Sequence, residues 1–143
     1  MRTISPQTEV LSMPREKFKH TPRVLLVEDE KSVRDIIVPL LFSAGFDCRE
    51  AATGQSAIDL LRSGVRINLV LSNLLLPDVD GFTLLLHVKR TYPRIPFVFV
   101  TAMNDAEVRQ EVMRNGADGY LLKPFKGEHL LAIVASVLGE RKA

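Results

Sequence analysis

The sequence predicts an α/β fold, a doubly wound five-stranded parallel sheet in a three-layer α/β/α arrangement. Three observations carry that expectation. From Arg23 onward, five short apolar runs alternate with five longer stretches of helical period. Runs such as PFVFVT are apolar on both faces, as strands covered by helices on two sides must be. Right-handed crossovers then leave few topologies, of which the strand order 2-1-3-4-5 is favoured.

The elements follow in order. Arg23–Val27 (RVLLV) reads as a short buried strand. In Lys31–Ala44 the apolar residues Val33, Ile36, Ile37, Leu40 and Leu41 recur at helical spacing, and Gly45 supplies a stop. Pro39 falls inside this helix, where it removes a backbone bond and is expected to kink the last turns at a cost of ~3 kcal/mol. Asp47–Ala51 is the second strand, and Thr53 offers an N-cap to a helix over Gln55–Arg62. Asn68–Ser72 is the third strand, followed by a helix over Phe82–Tyr92. Pro96–Thr101 is the fourth strand, and Ala106–Asn115 a helix ended by Gly116. Gly119–Leu122 is the fifth strand, and Lys126–Leu138 a last amphipathic helix ended by Gly139.

Composition narrows the function. The 143 residues make one domain's worth of chain, 46% hydrophobic and 25% charged, as in an ordinary globular protein. There is no apolar run long enough to span a membrane and no apolar core of a secretory signal near the N-terminus. Cys48 is the single cysteine, so no internal disulfide forms, and its plain reading is a small strand residue. These features together suit a cytoplasmic protein. Residues 1–22 have three prolines and no apolar period, which reads as a disordered tail preceding a domain over residues 23–143. The net charge of +2 is uneven: residues 1–23 hold five basic and two acidic groups, and the rest 14 basic and 15 acidic. The domain thus shows no basic face for direct contact with nucleic acid.

In a doubly wound sheet, ligands meet the carboxyl ends of the strands. Strand one is followed by Glu28, Asp29 and Glu30, strand three by Asn73, and strand five by Lys123-Pro124, while strand four ends in Thr101. One rim therefore gathers carboxylates, an amide, a hydroxyl and an ammonium. Adjacent carboxylates are costly without a positive charge among them, and a hard cation such as Mg²⁺ suits oxygen ligands. A metal and a lysine for its oxygens, and a hydroxyl that follows them, are what a phosphoryl group needs.

The pieces VEDE, LPDVDG, VTA and GYLLKPF, in this order and in register with the five strands, resemble the receiver domain of two-component response regulators. The resemblance runs from about Arg23 to Leu138 and implies a flavodoxin-like fold and a role in phosphorelay signal transduction. It assigns Glu28 and Asp29 to a magnesium site, with the backbone carbonyl of Leu75 as a further ligand. It gives Thr101 and Lys123 to the phosphoryl group, makes Thr101 and Tyr120 switch positions, and implies a cis peptide before Pro124. One position departs. The family's phospho-accepting aspartate, four residues before the proline, is Asn73 here. A neutral amide is a poor nucleophile toward phosphorus, and it removes one negative charge from the metal site. Receiver self-phosphorylation and self-dephosphorylation are accordingly expected to be lost or weak, and magnesium binding weak or absent.

Duller readings stand beside these. Glu28, Asp29 and Glu30 also suit a solvated helix start. Tyr120 also reads as an ordinary half-buried strand aromatic, and Asn73 as a plain polar residue at a strand end. Asp78 and Asp80 read as solvated turn formers, and His20, His87 and His129 show no metal spacing. A nucleotide- or flavin-binding enzyme is disfavoured, because the EDEKS turn after strand one lacks the glycines that admit a pyrophosphate. Few residues follow Leu138, which suggests a stand-alone receiver acting by protein–protein contact. The partners implied are a sensor histidine kinase or phosphotransfer protein, and an effector on the face made by the Ala106–Asn115 helix, strand five and the last helix. A homodimer is also compatible with the sequence. The alternative is a phosphotransfer-competent receiver whose Asn73 is engineered, or whose phosphate is accepted elsewhere.

Overall fold

The structure is a computed structural model that describes residues 20–142, with side chains described through Gly139. The expected tail falls mostly on residues 1–19, outside the described residues. The strands are β1 (Arg23–Val27), β2 (Asp47–Ala51), β3 (Leu69–Ser72), β4 (Phe97–Thr101) and β5 (Gly119–Leu122). The helices are α1 (Lys31–Ser43), α2 (Gly54–Arg62), α3 (Gly81–Thr91), α4 (Ala106–Arg114) and α5 (Gly127–Lys142). All strand pairs are parallel and the sheet order is β2-β1-β3-β4-β5, as expected from the alternation.

The two faces of the sheet divide the apolar residues by parity, since successive strand side chains point to opposite faces. Leu25, Val27, Val70, Phe97 and Phe99 face one side and pack with Ile58, Leu84, Val88 and Val112 of α2, α3 and α4. Val24, Leu26, Leu71, Val98 and Val100 face the other and pack with Ile37 and Leu41 of α1 and Leu130 and Val134 of α5. Each apolar side chain buried this fully contributes about 1.5–3 kcal/mol.

Several local expectations are corrected. The element ends agree with the sequence reading or differ by one residue, except that α5 continues through Gly139 to Lys142. A glycine ends a helix when it turns to positive φ, as Gly45 and Gly116 do at 91° and 106°, and Gly139 does not. Ile36, counted among the apolar residues at helical spacing, is 59% exposed, and Phe42 on the same helix is 79% exposed. Pro39 lies inside α1, as the sequence places it. It sits on the exposed side, so the carbonyl it leaves unpaired one turn back, at exposed Asp35, is within reach of water. Pro22, placed in the tail by the sequence reading, is buried, and its carbonyl accepts from the Asp47 N–H at 2.8 Å.

Candidate functional site

Register places the rim. Val27 pairs with Ala51 on one side and Ser72 on the other, and Thr101 pairs with Leu122. The residues that follow β1, β3 and β5 therefore emerge at one edge of the sheet together with the end of β4, as the parallel topology requires. Among the described residues, the buried polar ones are Glu28 at 1% exposure, Ser72 and Thr101 at 0%, and Asn73 at 8%, all at this edge.

Glu28 is the hub. Its Oε1 accepts from Lys123 Nζ at 2.7 Å and its Oε2 from the Glu30 N–H at 3.1 Å. Its own carbonyl accepts from Arg34 Nη1 at 2.8 Å. A carboxylate this deeply buried is tolerable only with a cation and hydrogen bonds on its oxygens, and both are present. Asp29 and Glu30, which the sequence cannot distinguish from Glu28, are exposed.

Asn73 is fixed by its backbone. Its N–H donates to the Val27 carbonyl at 2.9 Å, and its carbonyl accepts from Ser72 Oγ at 2.8 Å. Its Oδ1 accepts weakly from the Leu75 N–H at 3.4 Å. The loop behind it is held by Gly81, whose N–H donates to the Leu74 carbonyl at 2.8 Å. A Cβ on Gly81 would come within 2.5 Å of the Asn73 carbonyl oxygen, so only glycine allows this approach.

Thr101 and Tyr120 share one loop. Thr101 Oγ1 accepts from the Met103 N–H at 3.2 Å, and Tyr120 donates its hydroxyl to the Met103 carbonyl at 2.7 Å. The Tyr120 ring stacks beside Phe99, with centroids 6.1 Å apart, and lies under the Arg109 guanidinium at 5.5 Å. Burial pushes the Tyr120 hydroxyl above its ordinary pKa. The Lys123 N–H donates to the Thr101 carbonyl at 2.9 Å, and the Lys123–Pro124 peptide is cis.

Of the residues read from the sequence, the structure brings Glu28 and Lys123 into direct contact, with Asn73 and Thr101 buried at the same edge. It leaves Asp29 and Leu75 exposed, and ties Tyr120 to Thr101 through Met103. Sequence reasoning missed Arg34, Ser72 and Gly81, and undervalued Asp78. Asp78 is exposed, yet its carboxylate accepts from the N–H groups of Gly54 and Gln55, both at 3.0 Å, joining the β3–α3 loop to the start of α2. Those hydrogen bonds hold its carboxyl below the usual carboxylate pKa range. Thr53 caps α2 as expected, in a reciprocal pair with Ser56. Asp80 likewise caps α3, accepting from the Thr83 N–H at 2.8 Å.

Receiver domains typically hold Mg²⁺ in an acidic pocket, and the carboxylates that follow β1 here are Glu28, Asp29 and Glu30. Mg²⁺ is usually bound through one or two carboxylates, with waters completing its octahedron. One Glu28 oxygen accepts from Lys123 and the other from the Glu30 backbone N–H, Asn73 is neutral, and the Asp29 and Glu30 carboxylates are exposed. Among the described residues no three Asp, Glu, His or Cys side chains converge on one point.

Comparison with known proteins agrees with the geometry. Residues 24–135 match the family model of the response regulator receiver domain. The chain is 35% identical over 116 residues to the sensor kinase CckA of Brucella abortus, covering 80% of this chain and 12% of that protein. It is 33% identical over 119 residues to the DNA-binding dual master transcriptional regulator RpaA of Synechocystis, covering 82% of this chain and 49% of that protein. It thus spans less than half the length of these curated relatives. Among solved structures, it is similar to a CheY-like receiver domain protein from Methanospirillum hungatei, with TM-score 0.81, 27% identity, and 85% and 97% of the two chains covered. It is also similar to the chemotaxis protein CheY4 of Vibrio cholerae, with TM-score 0.77, 30% identity, and 82% and 99% covered.

Proposed function

The chain belongs to the response regulator receiver family, and from that premise we propose that it is a two-component receiver module that signals by protein–protein contact without taking up phosphate at Asn73. Receiver domains are signalling domains that work with histidine kinases and effectors. The observation that carries the reading is the state of the rim. The acceptor position holds an amide, and the lysine that would meet a phosphoryl oxygen is already paired with Glu28 at 2.7 Å.

On this reading the rim is electrostatically closed. Glu28 and Lys123 neutralise each other, so neither a divalent cation nor a phosphoryl group is required to offset a cluster of like charge. Output then depends on a surface that contact alone recognises, formed by α4, β5 and α5 around Tyr120. The partners are a sensor kinase or phosphotransfer protein on one side and an effector on the other, in a cytoplasmic phosphorelay and with or without an attached output domain. No helix among the described residues is long and apolar enough to cross a membrane.

A second reading is favoured by what the rim retains. Glu28, Asp29, Thr101 and Lys123 are all present at positions that match the family's chemistry, so an aspartate at position 73 would complete a working receiver. The test is incubation with Mg²⁺ and a small phosphodonor followed by intact-mass measurement. The parent is expected to show no phosphate adduct and Asn73→Asp one base-labile phosphate. An adduct on the parent would sink the reading of a silent acceptor.

A further inference from the structure

Between α3 and α4 lies an open groove of about 530 Å³. Its floor is apolar: Leu74 and Val112 are 6% and 1% exposed, and the half-buried Phe82 and Val108 flank them. Leu75 stands at its lip, 55% exposed, and carries the apolar surface of the floor out toward solvent. The polar border is acidic. Asp80, Glu107 and Glu111 line it, against the single guanidinium of Arg114, which donates to Glu111 at 2.5 Å. Three carboxylates against one cation leave this border at −2.

We propose that this groove docks a short basic amphipathic segment of a partner protein, with one or two aliphatic or aromatic anchors on the Leu74–Val112 floor and Lys or Arg against Glu107 and Asp80. Charge complementarity chooses the occupant. An anion such as a phosphate or a nucleic acid is repelled by the border, and an uncharged apolar ligand leaves it unused. The volume is in the range that accepts a few side chains, and a helix laid in a groove presents anchors at the spacing such a floor takes. The occupant would also touch the Asn73 loop, because Leu74 and Leu75 follow Asn73 directly and are tied to it and to Gly81 by backbone N–H bonds. Docking there needs no phosphate, and the proposal stands whether or not Asn73 is silent.

The experiment pans a random 12-residue peptide phage library on the immobilised full chain. Enriched peptides are then synthesised with a fluorophore, and their anisotropy is titrated against the parent and three variants, Leu75→Glu, Glu107→Lys and Asp35→Lys. The first two change exposed groove residues and the third an exposed residue of α1, so all are expected to fold, with a circular dichroism melt as the check. The expected result is enrichment of peptides carrying apolar anchors next to Lys or Arg. Binding should fall about tenfold or more in Leu75→Glu and Glu107→Lys, as when an anchor or its charge partner is lost, and stay unchanged in Asp35→Lys. Absence of enrichment, enrichment of peptides without Lys or Arg, or binding indifferent to both groove variants would overturn it. So would self-association of the parent that Leu75→Glu abolishes in sedimentation, since the occupant would then be a second copy of this chain.

Discussion

Lys123 Nζ meets Glu28 Oε1 at 2.7 Å across 95 residues of sequence, joining the end of β5 to the end of β1 over the two strands that lie between them. Glu28 has 2% of its side chain exposed and Lys123 16%. Removing either partner strands the other's charge in a poorly solvated place. Glu28→Gln is expected to cost roughly 2–4 kcal/mol, moderated by the access Lys123 keeps to water. Urea unfolding checks it. The double replacement of Glu28 and Lys123 by Gln should cost less than the two single changes added, and strict additivity would mean the contact carries no coupling.

Asn73→Asp keeps size and shape and adds a charge beside Glu28. Without metal the variant should be less stable than the parent, because like charges a few ångströms apart repel by a few kcal/mol before screening at an effective dielectric of ~20. Adding Mg²⁺ should raise its thermal midpoint more than the parent's, since a ligand bound only by the folded state adds RT ln(1 + [L]/Kd). Equal responses to Mg²⁺ in the two proteins would show that residue 73 does not decide metal affinity.

Tyr120→Phe removes the hydroxyl that donates to the Met103 carbonyl and leaves the ring packing against Phe99. The expected loss is about 1 kcal/mol. Amide exchange in the β4–α4 loop should speed up while exchange in β1 and β3 stays unchanged. A uniform rise across the sheet would point to global destabilisation instead.

Asp47 is paired with Arg23 at 2.7 Å, and that bond holds its carboxyl below the ordinary value of 3.8. A depressed folded value means the stabilisation is fully present above pH 3.8 and is lost as pH falls through the lower folded value. Because Asp47 is 44% exposed, the contribution is at most about 1 kcal/mol. Asp47→Asn should therefore melt below the parent at neutral pH, with the gap closing in acid. A gap independent of pH would exclude the ion pair as its source.

Cys48 is the single thiol, and burial pushes its pKa up to about 12. The native protein should react very slowly with iodoacetamide at pH 8, because the thiolate is the nucleophile. In urea it should react at the rate of a free thiol. Fast native labelling would mean that the β2 edge opens.

The sequence alone determined the sheet, its order and the edge where chemistry collects. These depend on local signals, the alternation of period between 2 and 3.6 and the residues that follow each strand, which a single chain displays without folding. It also named Asn73, since a side chain's identity is written in the sequence. Tertiary structure alone decided which acid of Glu28, Asp29 and Glu30 is buried and which cation meets it. It likewise tied Asp78, read as a turn former, to the first N–H groups of α2, gave the α3–α4 groove its acidic border, and left Ile36 in water. Such outcomes depend on where distant segments arrive to within an ångström or so. Desolvation and Coulomb energies of several kcal/mol nearly cancel for a buried charge, and the balance is struck only once its partner is in place.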